Sequence, residues 1–134
     1  MKFPELKNCK IGIIGLGYVG LPLAIEFGKK NMSKKGNKIE IIGFDIDKKR
    51  INSLQNNYDS TNEIKKECFN KIKHVSFTHN KNDLKDADVF IVTVPTPIDE
   101  SKKPNLLPLK NASETVASLI KERVKDIIPV IIYE

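Results

Sequence analysis

The chain has 134 residues, of which 40% are hydrophobic and 30% are charged. This length predicts one domain with a single core. No apolar run approaches the ~20 residues of a membrane span, and no signal-peptide pattern is present, so we expect a cytoplasmic protein without a membrane partner. The net charge of +6 raises the question of a nucleic-acid ligand, but the lysines are scattered and lack interleaved aromatic residues, which disfavours that class.

Apolar and β-branched residues recur in five short runs that are typical of buried strands: residues 10–16, 39–44, 75–78, 89–94 and 130–133. Between these runs, apolar residues at helical spacing predict helices over residues 21–30, 47–56, 62–72 and 109–124. Alternating strands and helices predict an α/β fold with a Rossmann-type, doubly wound parallel sheet. Such a sheet places its ligand at the carboxyl ends of its strands.

A GxGxxG string over residues 15–20 lies where the first strand meets the first helix. Each glycine has its own predicted task in a dinucleotide-binding turn. Gly15 allows the tight turn, Gly17 lets the backbone approach a pyrophosphate, and Gly20 lets the helix pack against the strand. The helix N-terminus supplies backbone amides to the phosphates. The alternative is a glycine-rich turn that holds no ligand.

Asp45 ends the second strand, 25 residues after Gly20. A carboxylate at this place accepts hydrogen bonds from the adenosine ribose hydroxyls and repels a 2′-phosphate, so it predicts NAD rather than NADP. The alternative role for Asp45 is a helix N-cap, although Asp47 can fill that role. The basic residues 48–50 leave NADP open as a second interpretation.

The two cysteines, the two histidines and three of the aspartates are not predicted to carry chemistry. Cys9 and Cys68 have no metal-ligand spacing and are expected to be reduced thiols. His74 and His79 have no suitably spaced partner and are expected at the surface. We expect three aspartates before the fourth strand to serve as a helix cap and a solvated face: Asp83, Asp86 and Asp88.

Two stretches of the sequence are predicted to be loops. Residues 34–38, rich in lysine, indicate a flexible turn before the second strand. Four of the seven prolines fall within residues 95–108, which predicts a stiff, irregular loop after the fourth strand. Loops in this position often carry function.

Longer strings around these motifs resemble the UDP-glucose/GDP-mannose dehydrogenase family. They are residues 13–24, 43–47 and 92–97, and the resemblance covers essentially the whole chain. Residues 104–113 are similar to the branch that acts on UDP-N-acetylhexosamines in bacterial surface polysaccharide biosynthesis. Residues 121–129 depart from the family's usual Gly-Asp turn, which leaves the register of the fifth strand open.

Carried over by position, the resemblance implies eight cofactor-binding residues: Gly15, Gly17, Tyr18, Val19, Gly20, Asp45, Arg50 and Thr96. Tyr18 and Val19 are implied to line the pyrophosphate turn, Asp45 and Arg50 to hold the adenosine ribose, and Thr96 to contact the cofactor near the fourth strand. The alternatives are an exposed helix position for Arg50 and simple loop capping for Thr96.

The resemblance implies an oxidoreductase that oxidises the sugar C6 hydroxyl to a carboxylate with two NAD, through a thiohemiacetal on a cysteine beyond this chain. Residues 1–134 are then expected to be the NAD-binding domain of a homo-oligomeric enzyme, without its central helix and substrate domain. The UDP-sugar would bind through those parts, and the chain alone would be inactive. The alternatives are a hydroxyacid-type NAD dehydrogenase and a stand-alone NAD-sensing module.

Overall fold

Five parallel strands form one sheet in the computed structural model, which describes residues 2–33, 36 and 38–134. They are β1 (Lys10–Ile14), β2 (Glu40–Phe44), β3 (Val75–Thr78), β4 (Val89–Val92) and β5 (Val130–Tyr133). Their order is β3-β2-β1-β4-β5, so the chain runs outward from β1 and then crosses back to place β4 beside it. This order confirms the predicted Rossmann-type sheet. Its switch point, where dinucleotides bind, lies between β1 and β4.

In the part of the chain that the structure describes, four α-helices and one 3₁₀ turn connect the strands. The helices are α1 (Gly20–Ser33), α2 (Lys48–Gln55), α3 (Lys66–Phe69) and α4 (Leu107–Lys121), and the 3₁₀ turn is Lys81–Leu84. Asp47 caps α2 as predicted, because its carboxylate accepts the backbone N–H groups of Lys49 and Arg50 at 2.8 and 3.2 Å. The apolar face predicted for α4 is also confirmed, since Ala112, Val116 and Leu119 are buried.

The predicted helix over residues 62–72 is wrong for most of its length, because only Lys66–Phe69 is helical. The carboxylate of Asp59 accepts the backbone N–H groups of Glu63 and Ile64, both at 2.8 Å. A side chain that bonds nearby backbone N–H groups competes with helix formation. The segment before α3 therefore folds as a loop around Asp59.

Apolar clusters cover both faces of the sheet. Ile11 and Ile13 of β1 belong to the cluster on one face, and Ile14 belongs to the cluster on the other. A central strand buried on both faces is expected to be apolar throughout, which explains the run in the sequence. Among the described strands, β5 pairs with β4 alone, and its residues are 36–53% exposed.

Asp88 is buried, so its predicted place on a solvated face is wrong. It accepts the Lys10 backbone N–H at 3.0 Å, Arg123 Nη2 at 2.8 Å and Lys125 Nζ at 3.1 Å. Burial raises the pKa of Asp88, but these hydrogen bonds outweigh it and lower the pKa overall. The cluster fixes the segment before β5, whose register with β4 starts at Val89 opposite Val130.

Other expectations from the sequence have mixed outcomes. His74 and His79 are exposed as predicted, and Cys9 and Cys68 are free cysteines, with Cys9 buried. Asn80 caps the 3₁₀ turn, whereas Asp83 accepts a hydrogen bond from the Thr78 hydroxyl. The predicted turn over residues 34–38 lies largely outside the described residues.

Within the described ranges, no helix is long and apolar enough to span a membrane, and no cluster of His, Cys, Asp or Glu could hold a metal ion.

Candidate functional site

A cleft of about 500 Å³ lies at the carboxyl ends of β1, β2 and β4. One side is formed by Gly15, Leu16 and Gly17 of the glycine turn, defined as residues 15–20, and another by residues 44–47 at the end of β2 together with Arg50 of α2. The opposite side comes from the loop after β4 and the first turns of α4: Val94, Pro95, Asn105, Leu107, Pro108, Asn111, Ala112 and Thr115. The cleft therefore lies where a doubly wound sheet is predicted to bind its ligand.

Gly15 and Gly20 are required by the fold itself. Gly15 has a φ of +97°, which side chains rarely tolerate. A Cβ on Gly20 would lie 1.8 Å from the Gly15 carbonyl oxygen and 2.5 Å from Thr93 Oγ1. These values agree with the tight turn predicted for Gly15 and the close packing predicted for Gly20.

Gly17 is different, because the fold gives no reason for a glycine there. It lacks a positive φ, and a Cβ built on it would meet nothing within 4 Å. Gly17 lines the cleft, so the space beside it is the cleft itself. Among the described residues, the backbone N–H groups of Gly17, Tyr18 and Val19 have no acceptor. Open space beside free amides at a helix N-terminus suits a pyrophosphate that approaches the backbone.

Asp45 lies half-buried at the end of β2 and lines the cleft, as predicted. Its Oδ2 accepts the Leu16 backbone N–H at 2.9 Å, and its Oδ1 accepts the Asp47 N–H at 2.9 Å. A carboxylate has about four acceptor positions, so two remain for hydroxyl donors such as a ribose. The same negative charge disfavours a 2′-phosphate.

Arg50 is buried, so the alternative of an exposed helix position is wrong. Its Nε and Nη2 donate to the Leu16 carbonyl oxygen at 3.0 and 2.8 Å, and its Nη1 donates to Asp59 Oδ1 at 2.5 Å. The guanidinium is therefore already bonded on both sides. Lys48 and Lys49 are exposed and lie outside the cleft lining. The basic residues 48–50 therefore do not form a site for the 2′-phosphate of NADP, because Arg50 is bonded within the chain and the two lysines lie outside the cleft.

Asp59 supports the site although no motif in the sequence predicts a role for it there. Its side chain is fully buried, and besides Arg50 it accepts the backbone N–H and the hydroxyl of Thr61 at 3.1 and 2.9 Å. Burial raises the pKa of Asp59, but the hydrogen bonds from Arg50, Ile64 and Thr61 outweigh it and lower the pKa to about 2. The Asp-Ser-Thr-Asn run of residues 59–62 is a turn-forming signal that could have marked this position.

Thr93, after β4, was also missed. It is buried, and its hydroxyl donates to the Gly15 carbonyl oxygen at 2.7 Å, which fixes the glycine turn against the end of β4.

Thr96, by contrast, is exposed, and within the described chain its hydroxyl has no partner, so it caps no loop. Tyr18 is 73% exposed and Val19 is half-buried. Thr96, Tyr18 and Val19 do not line the cleft, and the cofactor contacts expected of them stay predictions.

Comparison with known proteins identifies close relatives. Residues 9–133 match the UDP-glucose/GDP-mannose dehydrogenase family, NAD binding domain. The chain is 51% identical over 115 residues to Protein CapL of Staphylococcus aureus, covering 84% of this chain and 24% of that protein. It is 47% identical over 117 residues to UDP-N-acetyl-D-glucosamine 6-dehydrogenase of Pseudomonas aeruginosa, covering 87% of this chain and 26% of that protein. Among solved structures, a UDP-D-ManNAc dehydrogenase from Pyrococcus horikoshii superposes with a TM-score of 0.71 at 29% identity, over 93% of this chain and 28% of that one.

The chain thus spans about a quarter of the length of the curated relatives that it matches. The family match agrees with the cleft, where open space at Gly17 and a carboxylate at Asp45 fit a pyrophosphate and a ribose. It also separates this chain from hydroxyacid dehydrogenases. The chain belongs to the UDP-glucose/GDP-mannose dehydrogenase family as its NAD-binding domain, and its cofactor is NAD.

Proposed function

We propose that NAD lies in the cleft with its pyrophosphate over the glycine turn and its adenosine ribose at Asp45. The observation that carries this placement is the open space beside Gly17. The fold would accept a Cβ there, so the packing of the chain does not explain why this residue is a glycine. Bound NAD supplies a two-electron oxidant. The residues of this chain bind and orient it: the free amides of Gly17, Tyr18 and Val19 receive the phosphates, and Asp45 accepts the ribose hydroxyls.

Arg50 was expected to contact the ribose directly, but its contacts favour a different role. Both Nε and Nη2 hold the Leu16 carbonyl, so a ribose contact would require the guanidinium to share or leave these bonds. We therefore assign Arg50 to shaping the turn beneath the pyrophosphate. Thr96 and Tyr18, which are exposed beside the cleft, are proposed to contact the cofactor from outside the lining.

For the whole protein, we propose the oxidation of the C6 hydroxyl of a UDP-N-acetylhexosamine to a carboxylate. The two successive two-electron oxidations consume two NAD, and water supplies the second carboxylate oxygen. The relative from Pseudomonas aeruginosa, named for this class of reaction, supports the substrate class. The UDP-sugar and the partner subunit of a homo-oligomer would contact parts of the protein outside these 134 residues.

We also propose that the chain alone does not oxidise substrate. The covalent route needs a cysteine thiolate near the cofactor. Cys9 precedes β1 and so lies at the end of the sheet opposite the cleft, while Cys68 lies in α3. Burial, followed by the charge of Asp88, raises the pKa of the Cys9 thiol, which makes it a poor nucleophile.

The test is to measure NADH formation from UDP-N-acetylglucosamine, UDP-N-acetylgalactosamine and UDP-glucose. The polypeptide from the complete reading frame should form two NADH per UDP-N-acetylhexosamine, and the 134-residue chain should form none. Turnover by the short chain, or one NADH per sugar, would contradict the proposal. A reading frame without a substrate domain would instead favour an NAD-sensing module.

A further inference from the structure

We infer that Asp59 is a positioning residue for the cofactor turn and acts on it through Arg50. The inference rests on the proposed placement of NAD over the glycine turn. Asp59 does not line the cleft, and it follows α2 in a loop of its own. Its effect on the cofactor must therefore pass through the residues that it contacts.

The contacts form a continuous chain from the loop to the turn. Arg50 Nη1 donates a hydrogen bond to Asp59 Oδ1 and another to Ser60 Oγ, the second at 3.1 Å. The other two nitrogens of Arg50 converge on the Leu16 carbonyl oxygen. The fork geometry of a guanidinium lets one side chain serve both partners at fixed angles. With Asp59 in place, Arg50 has one orientation.

That orientation determines where the next amide points. The peptide bond between Leu16 and Gly17 is trans, since the described residues contain no cis peptide, and it is planar. The Gly17 N–H therefore points opposite to the Leu16 carbonyl, away from Arg50. On the other side of Leu16, Asp45 holds the backbone N–H. Asp45 and Arg50 together leave the Gly17 amide one direction, which is the preorganisation that anion binding needs.

Loss of the Asp59 carboxylate would leave Arg50 buried with an unpaired charge. Such a charge is costly, so the guanidinium would turn toward water or admit water beside it. Turning releases the Leu16 carbonyl, and an added water loosens the hold of Arg50 on it. NAD binding would then have to restore the order of the turn, and affinity would fall although no contact to NAD has been removed.

The experiment compares Asp59→Asn with Asp88→Asn in the 134-residue chain. Both aspartates are buried and paired with an arginine, but Asp88 bonds Lys10 at the start of β1, the end of the sheet opposite the cleft. NAD dissociation constants are measured by calorimetry well below each melting temperature. Amide shifts of Gly17 are measured by NMR without cofactor. We expect Asp59→Asn to weaken NAD by about tenfold and to shift the Gly17 amide, while Asp88→Asn leaves both unchanged.

Arg50→Lys provides a second variant in case Asp59→Asn does not fold. An ammonium can pair with Asp59 but cannot bond it and the Leu16 carbonyl with the same fixed fork, so the same direction of change is expected. Equal weakening by Asp88→Asn would overturn the inference, as would wild-type affinity in both Asp59→Asn and Arg50→Lys. If the proposed function itself is wrong, the result is different from both of these. The wild-type chain would then not bind NAD, or its Gly17 amide would not shift when NAD is added.

Discussion

Arg50 donates two hydrogen bonds to the carbonyl oxygen of Leu16, at 3.0 Å from Nε and 2.8 Å from Nη2. The two residues are 34 positions apart, so α2 helps to build the turn that precedes α1. The glycine string alone therefore does not determine the shape of the cofactor turn. Asp45, Arg50 and Thr93 hold its backbone at three groups, which are the Leu16 N–H and the carbonyl oxygens of Leu16 and Gly15.

Replacing Gly17 with Val should reduce NAD binding below detection while leaving the fold intact. The Cβ of the new side chain meets no protein atom within 4 Å, and the side chain extends into the space proposed for the pyrophosphate. Calorimetry gives the affinity, and circular dichroism checks the fold. Gly20→Val is the matched contrast, because its Cβ would lie 1.8 Å from the Gly15 carbonyl, and it should unfold or strongly destabilise the chain. Undiminished NAD affinity in Gly17→Val would place the dinucleotide elsewhere.

Replacing Asp45 with Ala should weaken NAD by about 1 to 2 kcal/mol, since charge-assisted hydrogen bonds to the ribose are lost and water replaces part of them. Asp45→Asn separates charge from shape. It keeps an oxygen for the Leu16 N–H and removes the negative charge, so the ratio of NADP to NAD affinity should rise. Titrations of both variants with both cofactors provide the measurement. A ratio that stays constant would show that Asp45 does not select the cofactor.

Asp59 should make the chain sensitive to acid. Its pKa is lowered to about 2 in the folded chain from a usual value of 3.8, so the unfolded chain binds the proton more readily. The stabilisation is therefore fully present above about pH 4 and is lost as the pH falls through about 2. It corresponds to about 2 kcal/mol in the free energy of unfolding. Denaturant unfolding of wild type and Asp59→Asn should give a difference that shrinks by this amount between pH 5 and pH 2, whereas a constant difference would rule out this titration.

Replacing Asp88 with Ala should lower the free energy of unfolding by about 3 to 5 kcal/mol, because the buried Arg123 loses its carboxylate. Urea unfolding measures the change. Arg123→Met serves as the comparison. It removes the buried cation together with the ion pair, so it should lower the free energy of unfolding by less than Asp88→Ala does. A loss smaller than about 1 kcal/mol in Asp88→Ala would show that Asp88 does not anchor the segment before β5.

Much of the fold was predictable because a doubly wound sheet has a regular pattern. All five strands lie within the predicted runs, and the glycine turn and Asp45 meet at the predicted end of the sheet. The errors concern polar residues whose partners are distant in sequence. Asp88 is charged and was expected in solvent, but Arg123 and Lys125, more than 30 positions later, make its burial possible.

The same limit applies within the site. Asp59 and Thr93 carry no spacing signal that points to the glycine turn, because their role depends on the contact made by Arg50 and on the pairing of β1 with β4. Local turn chemistry indicated a loop near Asp59 but not what the loop holds. Gly17 shows the opposite case, where a motif predicted a space that the structure leaves open.

The most direct test of the proposed site is an NMR titration of the amide-labelled 134-residue chain with NAD and with NADP. It measures affinity and location together. We predict that NAD binds more tightly than NADP and that the largest shifts occur at the amides of Gly17, Tyr18, Val19 and Asp45. Shifts centred away from the glycine turn, or tighter binding of NADP, would contradict the account.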